Sequence, residues 1–201
     1  SSYYSNSVYN AGTISATASG AYANAIGVES SSYIGYVDVF NDGTISASGG
    51  YYATGVQLHS SLNSVVYNYG TITAAGGAYN IAVDSRDTPS VDIYNLGGTI
   101  NGAVWSSDGD DYIYNGDGAT WNPGTTPTYL NGGDDTIYNY GTINMTNSVI
   151  HMGTYSVYGN YFYNAAGGVI NVRGADNWID MGGPQALVPS LNPLPFANYG
   201  T

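Results

Sequence analysis

The sequence predicts an all-β fold, a single parallel β-helix (β-solenoid) of about seven to eight coils. One motif recurs along the chain: a β-branched or aromatic residue, an aromatic residue, an asparagine, then a turn and Thr-Ile. Successive motif asparagines lie between 20 (95 to 115) and 34 (164 to 198) residues apart, which suits one coil and is too short for a domain. Short runs of Val, Ile, Tyr and Thr, punctuated by Gly, Asn, Asp and Ser, favour strands over helices.

The first predicted strand of each coil carries the start of the motif. Because side chains alternate along a strand, the residue before the aromatic points inside and the aromatic points outside. The expected inward residues are Val8, Val39, Val66, Ile93, Ile113, Ile137 and Phe162. The outward residues form a surface aromatic stripe of Tyr9, Phe40, Tyr67, Tyr94, Tyr114, Tyr138 and Tyr163. The stripe either stabilises the sheet by ring stacking or serves as a lateral contact or carbohydrate-binding face.

The motif asparagine falls at the corner after the first strand. A side-chain amide there can donate to the next coil and accept from the previous one, so stacked asparagines would form a ladder. The predicted ladder residues are Asn10, Asn41, Asn68, Asn95, Asn115, Asn139, Asn164 and Asn198. The glycine two residues later is expected to supply a turn position with positive φ. This structural role explains the motif without any ligand.

The second predicted strand follows the turn, and a third is visible in segments such as 26–28, 56–58 and 81–83. The second strand points one large apolar residue of each coil inside: Ile14, Ile45, Ile72, Ile100, Trp121, Ile143 and Ile170. Two proline-containing segments interrupt the repeat, at 122–131 and 184–195. The first is predicted as a loop and the second as an arm that leaves the rod. Residues 1–201 are therefore expected to form one domain with these two excursions.

The charge balance limits the partners. Fourteen acids oppose two arginines and no lysine, which gives a formal charge of −12. Nucleic acid is not an expected partner, because phosphate binding relies on Lys and Arg. No stretch approaches the ~20 apolar residues of a membrane helix, so no membrane insertion by this segment is expected. Cysteine is absent, which excludes disulfides and thiolate metal sites within this chain.

The Asn-x-Gly-Thr-Ile sequence, as in Asn68-Tyr69-Gly70-Thr71-Ile72, resembles the repeats of bacterial autotransporter passenger domains and related adhesin-like surface proteins. The resemblance covers nearly the whole chain. It implies a right-handed parallel β-helix at the bacterial cell surface, where members of this family mostly act as adhesins, aggregation factors or stalks. The chain departs from the usual family in its content of 22 tyrosines.

Two aspartate pairs, Asp110–Asp111 and Asp134–Asp135, precede their motif asparagines by the same offsets. We therefore expect them to stack one coil apart. Oxygen ligands without His or Cys point to calcium, and the segments around both pairs loosely resemble calcium-binding nonapeptide repeats. The alternative is that these aspartates shape the turn by accepting backbone N–H groups. Calcium is the one cofactor that the sequence suggests.

No set of residues typical of an enzyme is visible. β-Helix enzymes that cleave acidic polysaccharides combine paired aspartates with basic residues, and the basic partners are missing here. His59 and His151 look isolated, and no Ser-His-Asp set or phosphate loop is evident. The outward Thr-x-Ser/Thr/Asn residues of the second strand invite comparison with ice-binding solenoids. Only Thr71-x-Thr73 among the five rows has two threonines, so ordinary β-propensity on a wetted face is the simpler interpretation.

We expect an extracellular structural β-solenoid, either an adhesin-like stalk at the cell surface or the subunit of a head-to-tail filament. The chain begins at Ser1 and stops at Thr201 inside the eighth motif, with no evident cap at either end. We expect the end strands to pair with another copy, unless the chain is a fragment of a longer solenoid. The second expectation is a binding module that contacts a glycan or ice through a flat face, and a polysaccharide-degrading enzyme comes third.

Overall fold

The computed structural model describes residues 4–153, 159–182 and 196–201. In this part of the chain 22 strands form and no helix does. The strands of the amino-terminal half are β1 (Asn6–Asn10), β2 (Thr13–Thr17), β3 (Asn24–Ser32), β4 (Val37–Asn41), β5 (Thr44–Ser48), β6 (Tyr52–Ser60), β7 (Ser64–Asn68), β8 (Thr71–Ala75), β9 (Tyr79–Asp87), β10 (Val91–Asn95), β11 (Thr99–Asn101) and β12 (Ala103–Ser106). Those that follow are β13 (Tyr112–Asn115), β14 (Thr120–Asn122), β15 (Thr128–Leu130), β16 (Thr136–Asn139), β17 (Thr142–Thr146), β18 (Val149–His151), β19 (Tyr161–Asn164), β20 (Val169–Arg173), β21 (Trp178–Asp180) and β22 (Phe196–Asn198).

The strands build three parallel sheets, and every third strand joins the same sheet. Sheet one has eight strands, from β1 to β22, while sheet two (β2 to β20) and sheet three (β3 to β21) have seven each. Every coil contributes one strand to each sheet, which confirms the predicted parallel β-helix. From the first strand of each sheet to its seventh the chain makes about six turns, slightly fewer than the seven to eight coils expected.

The core lies between the three sheets and consists of columns of like residues. In sheet one, Val39, Val66 and Ile93 stack in register and are fully buried. In sheet two, Trp121 occupies the column of isoleucines between Ile100 and Ile143. The inward side chains expected for the first two strands thus pack together, with those of the end coils only partly buried. Burial of these apolar side chains is the main force that holds successive coils together.

The loop expected at 122–131 is shorter than the sequence suggested. Residues 123–127 connect β14 to β15, and Thr128–Leu130 is a strand of sheet three whose Leu130 is fully buried. Pro127 stands immediately before this strand, a position where its missing N–H costs no ladder hydrogen bond. The second expected excursion, 184–195, lies outside the described residues.

The expectation of positive φ at the motif glycine is confirmed at Gly97, where φ is 82°, but was wrong for Gly43 and Gly70, which close stacking requires instead. A Cβ added to Gly70 would lie 2.0 Å from the carbonyl oxygen of Gly43. A Cβ on Gly43 would lie 2.0 Å from the carbonyl oxygen of Gly12. The backbones of successive turns therefore pass too close together for any side chain. Gly12, in the first coil, would have no atom within 4 Å of an added Cβ.

Candidate functional site

The eight motif asparagines form one column along the corner after sheet one. Strand pairing aligns each with the next, from Asn10 opposite Asn41 to Asn164 opposite Asn198. Each Nδ2 donates to the Oδ1 of the next asparagine over 2.6–2.8 Å. The bonds run in one direction, toward the carboxy-terminal coil, and connect all eight residues.

Asn68 shows how such a buried amide is satisfied. Its Nδ2 donates to Asn95 Oδ1 at 2.8 Å and to the carbonyl oxygens of Gly70 and Thr99, each at 3.2 Å. Its Oδ1 accepts from Asn41 Nδ2 at 2.8 Å. Because carbonyl oxygens only accept hydrogen bonds, the contact with Thr99 fixes which side of the amide carries the nitrogen. The polar atoms of Asn68 are therefore all used inside the fold.

The aromatic stripe lies on the outer face of sheet one, and three successive rings, those of Phe40, Tyr67 and Tyr94, are stacked. The rings of Phe40 and Tyr67 have centroids 4.8 Å apart and planes inclined by 12°. Tyr67 and Tyr94 follow at 5.2 Å and 11°. Rings stacked in this way cover one another's faces and expose mainly their edges. Tyr67, which lies between two stacked rings, consequently lacks an open ring face on which a sugar ring could stack, whereas Tyr9 is 68% exposed.

From Tyr94 onward the stripe widens, because further tyrosines lie two residues before or after the motif aromatic on the same outer face. These residues form the tyrosine cluster: Tyr94, Tyr112, Tyr114, Tyr138, Tyr140, Tyr161, Tyr163 and Tyr199. Contacting rings in the cluster have centroids 5.4–6.4 Å apart. Most of these ring pairs are tilted rather than stacked. The sequence motif identified four of the eight rings, and the period of two would have identified the others.

The two aspartate pairs stack one coil apart, but each pair is divided between the inside and the outside of the rod. Asp111 and Asp135 are buried, whereas Asp110 is exposed and Asp134 is half-buried. The backbone N–H of Asp111 donates to Asp135 Oδ1 at 3.0 Å. The backbone N–H of Asp134 donates to Asp110 Oδ1 at 2.8 Å. These carboxylates thus accept backbone N–H groups, as the turn interpretation expected, but from neighbouring coils.

Burial changes the ionisation of the two inner acids. Burial raises the pKa of Asp111 to about 7, although hydrogen bonds from the Ser106 hydroxyl and the Val91 N–H act in the opposite direction. Burial raises the pKa of Asp135 to about 9, and the neighbouring charges of Asp111 and Asp110 add to the shift. Asp135 Oδ2 is buried without a hydrogen-bond partner. Burial therefore favours the neutral, protonated form of Asp135.

The described residues do not assemble a metal centre. Across 4–153, 159–182 and 196–201, no group of three or more His, Asp or Glu side chains is placed to hold a metal ion. The carboxylate oxygens of the inner acids, Asp111 and Asp135, accept hydrogen bonds from backbone N–H or hydroxyl groups. The outer acids, Asp110 and Asp134, lie on the other side of the chain. The geometry favours the turn-forming role of these aspartates, and we do not propose a calcium site.

The outer face of sheet two carries a regular polar lattice that is more complete than the motif indicated. Six threonines form one column in register: Thr13, Thr44, Thr71, Thr99, Thr120 and Thr142. The column two residues later contains Ser15, Ser46, Thr73, Asn101, Asn122, Asn144 and Asn171. Thr120, Asn122 and Asn171 were not predicted, because the motif is degenerate in the two coils that contain them. Both columns are uncharged.

The asparagines of this outer face form a second ladder. Asn122 donates to Asn101 Oδ1 at 2.6 Å, and Asn144 donates to Asn122 Oδ1 at 2.8 Å. Asn171 and Asn101 continue the series at its two ends, with Asn101 donating to the Thr73 hydroxyl at 3.0 Å. These amides donate toward the amino-terminal coil, opposite to the buried column. The ladder holds the outer side chains of sheet two in fixed positions.

Sheet three presents a charged contact that the sequence analysis missed. The Arg86 guanidinium donates to both carboxylate oxygens of Asp84, at 2.9 and 2.7 Å, and lies 4.4 Å from the ring centroid of Trp105. The hydrogen bond to Asp84 raises the pKa of Arg86. The Trp105 indole donates to the Pro127 carbonyl at 2.7 Å. Arg86 is thus engaged within the rod and is not a free basic group for an acidic ligand.

The two histidines are not isolated, although neither belongs to a catalytic set among the described residues. His59 lies 2.9 Å from Asp87, and His151 lies 3.2 Å from Asp180. His151 also stacks on Tyr129, with centroids 5.0 Å apart. A hydrogen bond from the backbone of Gly182 and one from His151 lower the pKa of Asp180. These contacts occupy the imidazoles at the surface of sheet three.

No protein-family model, curated protein or solved structure matches this chain. The link to autotransporter-type repeats consequently rests on the motif and on the solenoid fold. None of the described residues forms a helix long and apolar enough to span a bilayer.

Proposed function

We propose that this chain is a structural β-solenoid of an extracellular surface protein, either an adhesin-like stalk or the subunit of a head-to-tail filament. The observation that carries the proposal is the buried asparagine column, which links successive coils by side-chain hydrogen bonds along the whole rod. The most repeated feature of the sequence therefore serves rigidity. A repeat array whose units contact mainly their neighbours is suited to act as a spacer.

The rod repeats one three-stranded coil, although the strands of sheet three shorten from nine residues in β3, β6 and β9 to three in β15, β18 and β21. Parallel strands lie ~4.8 Å apart, so the seven steps from Asn10 to Asn198 span roughly 34 Å. The threonine column of sheet two keeps its residue type from coil to coil. Such a rod can display other groups at a fixed distance from the surface that anchors it.

The cell-surface location rests on the resemblance of the Asn-x-Gly-Thr-Ile repeats to autotransporter passenger domains. Immunogold labelling of intact cells of the source organism tests it directly. We expect label on the outer surface without permeabilisation. Label that appears only after permeabilisation would overturn the extracellular role.

Self-association through the ends of the rod is part of this proposal. Among the described strands, β1, β2 and β3 pair on one side only, as do β20, β21 and β22. Open edges of strands pair readily with another strand, and a contact between opposite ends extends into a filament. Further coils of a longer chain would cover the same edges. Sedimentation over a concentration series distinguishes the filament subunit from the stalk. A protein that stays monomeric at every concentration, with an intact β signal, would exclude the filament and remain compatible with the stalk.

A second candidate function rests on the outer face of sheet two. Its two columns of hydroxyl and amide groups are uncharged, in register and held in place by the outer asparagine ladder. Strands ~4.8 Å apart repeat these groups at a constant interval along the rod. A repetitive ligand, either a glycan or ice, could match such a lattice through many weak hydrogen bonds. This is the binding-module alternative.

A charged side chain introduced into the two polar columns of sheet two tests the binding-module function. Thr71→Lys introduces a long cation into the centre of the threonine column, whereas Gln57→Lys makes the same type of change on the outer face of sheet three. The assays are inhibition of ice recrystallisation and co-sedimentation with insoluble polysaccharides. We expect activity in one assay that Thr71→Lys abolishes and Gln57→Lys keeps. An unmodified protein that is inactive in both assays would end this candidate.

A further inference from the structure

The phenol side chains of the tyrosine cluster can be oxidised and coupled, a reaction that the role of a structural rod does not require. The phenol rings of the cluster touch one another in an unbroken network across sheet one. Tyr163 is a central member, with ring centroids 5.6 Å from Tyr138, 6.2 Å from Tyr140, 6.1 Å from Tyr161 and 5.5 Å from Tyr199. Phenols this close can exchange a radical or couple with one another once one of them is oxidised.

The composition of the chain makes tyrosine its main side chain for covalent cross-linking. The chain has 22 tyrosines but no cysteine and no lysine, so neither a disulfide nor an amide bond from a lysine side chain can form within it. A phenol that loses one electron and its hydroxyl proton becomes a phenoxyl radical. Two such radicals can join through their rings.

We propose that the tyrosine cluster is an oxidative cross-linking site at which Tyr163 and Tyr199 are joined as dityrosine. The oxidant is hydrogen peroxide, used by a haem peroxidase. Tyr163 lies on β19 and Tyr199 directly follows β22, so the bond ties the last strand of sheet one to the coil before it. This inference goes beyond the stalk function and does not depend on it.

The reaction balances with peroxide alone. Each phenol gives up one electron and its hydroxyl proton, and the two radicals form a carbon–carbon bond between ring positions next to the hydroxyl groups. The C–H bond at each of these positions then breaks, and a proton returns to each phenol oxygen as the rings regain aromaticity. In total two hydrogen atoms leave the protein. The O–O bond of hydrogen peroxide breaks, and the peroxide becomes two molecules of water.

Exposure distinguishes this pair within the cluster, since Tyr94 and Tyr112 have the same separation and inclination as Tyr163 and Tyr199. Tyr199 is 66% exposed, so an oxidant in solution can reach it. The planes of Tyr163 and Tyr199 are inclined by 47°, which directs ring edges toward each other more than the stacked pair Phe40–Tyr67 does. Burial raises the pKa of Tyr112 to about 12, so that phenol holds its proton tightly. Radical character is therefore expected to collect on the exposed rings of the cluster.

The two arginines make the cross-link easy to locate. Trypsin cleaves after Arg86 and Arg173 and divides the denatured chain into fragments 1–86, 87–173 and 174–201. Tyr199 is the only tyrosine of the last fragment. A dityrosine that connects 87–173 to 174–201 must therefore use Tyr199.

The experiment treats the folded 201-residue chain with hydrogen peroxide and a haem peroxidase, then digests it with trypsin for mass spectrometry. We expect a linked pair of fragments 87–173 and 174–201 that lacks two hydrogen atoms, together with dityrosine fluorescence. Tyr199→Phe should abolish the linked pair and Tyr163→Phe should reduce it at least tenfold. Tyr22→Phe, at a side chain that is 91% exposed, should leave its yield unchanged.

Three results would overturn the inference. The first is the absence of the linked pair from folded monomer. The second is an equal yield from protein unfolded in urea, which would show that proximity in the fold does not select the pair. The third is an undiminished yield in Tyr163→Phe, which would show that Tyr199 couples with another ring.

Discussion

The side-chain amide of Asn68 donates to Oδ1 of Asn95 across 2.8 Å, and both residues are buried. The same contact joins each motif asparagine to the next, so amide dipoles of the buried column point toward the carboxy-terminal coil. On sheet two, Asn122 donates to Asn101 in the opposite sense. In the buried column, the orientation of each amide is fixed because its nitrogen also donates to backbone carbonyl oxygens. The outer ladder instead ends at the hydroxyl group of Thr73. The two ladders therefore oppose each other along the rod axis.

The first prediction concerns Asn68. Asn68→Ala removes the hydrogen bonds to Asn41, Asn95 and Thr99 and leaves buried polar groups of the neighbouring coils without their partners. We expect the free energy of unfolding to fall by about 1–3 kcal/mol, because an unpaired buried polar group bears its full desolvation cost. Urea unfolding followed by far-UV circular dichroism measures the change.

Asn144→Ala is the matched control. Asn144 belongs to the outer ladder and makes the same kind of amide–amide contact at 2.8 Å, but water can reach it. Its removal should cost less than about 1 kcal/mol, since solvent replaces the lost partners. Equal losses for the two variants would contradict the view that burial of the motif column is what makes it stabilising.

The second prediction uses two glycines at the same motif position. Gly70→Ala places a methyl group 2.0 Å from the Gly43 carbonyl oxygen, so the coils must move apart. We expect a loss of about 1–3 kcal/mol, the usual cost of overpacking. Gly12→Ala meets no atom within 4 Å and should be close to neutral. If thermal unfolding shows the two variants to be equally stable, close stacking is not the reason for the motif glycine.

The third prediction is a loss of stability with rising pH. The pKa values of Asp111 and Asp135 are raised from 3.8 to about 7 and about 9, so the folded state holds protons that the unfolded state releases. This contribution to the free energy of unfolding is complete below the pKa that the two acids have in the unfolded state. It disappears as the pH rises through their pKa values in the folded state. Between these limits the free energy of unfolding falls as the pH rises, because the folded state binds more protons than the unfolded state. The midpoint of urea unfolding, measured from acid to alkaline pH, should therefore decrease.

Asp135→Asn separates this effect from general charge repulsion. An amide stays neutral at every pH, and its oxygen can still accept the backbone N–H of Asp111. The variant should lose less stability than the unmodified protein as the pH rises. Asp110→Asn removes a charge that adds to the raised pKa of both inner acids, and it should reduce the pH dependence by less than Asp135→Asn does. A slope unchanged by Asp135→Asn would mean that this acid is already ionised in the folded protein.

The fold was predictable because its signal is periodic. The motif aligns eight asparagines and seven outward aromatic residues, and stacking needs only that the same residue types meet coil after coil. The function of single glycines was not predictable in the same way. Whether Gly70 serves φ or close approach depends on the path of the neighbouring coil, which the local sequence does not contain.

The candidate sites show a similar division. The sequence placed Asp111 and Asp135 one coil apart but could not show which backbone N–H groups of neighbouring coils their carboxylates accept. The strand Thr128–Leu130 was missed because the two prolines that precede it, Pro123 and Pro127, resemble those of a loop. In each case the deciding contact joins residues about 20 or more positions apart in the chain.

The fourth prediction concerns calcium. Carboxylate oxygens of the inner aspartates accept the N–H groups of Val91 and Asp111, and within the described residues no three acids are placed together to hold a metal ion. A chelator should therefore leave the melting temperature unchanged, and added calcium should not raise it. A ligand that binds only the folded state would stabilise it measurably, so a melting temperature lowered by chelator and restored by calcium would contradict this geometry.

The last prediction tests whether the stacked part of the aromatic stripe stabilises the rod. Tyr67 lies between Phe40 and Tyr94, and each such ring contact contributes about 0.5–1.5 kcal/mol. We expect Tyr67→Leu to lower the free energy of unfolding by about 1–3 kcal/mol. Tyr69→Leu, at a 53% exposed ring two residues away, should cost much less. A double-mutant cycle with Phe40→Leu should yield a positive coupling energy, since the two rings stabilise each other through one contact. If the cycle shows no coupling and Tyr67→Leu is neutral, stacking does not explain the stripe, and its rings are free to serve as a contact surface.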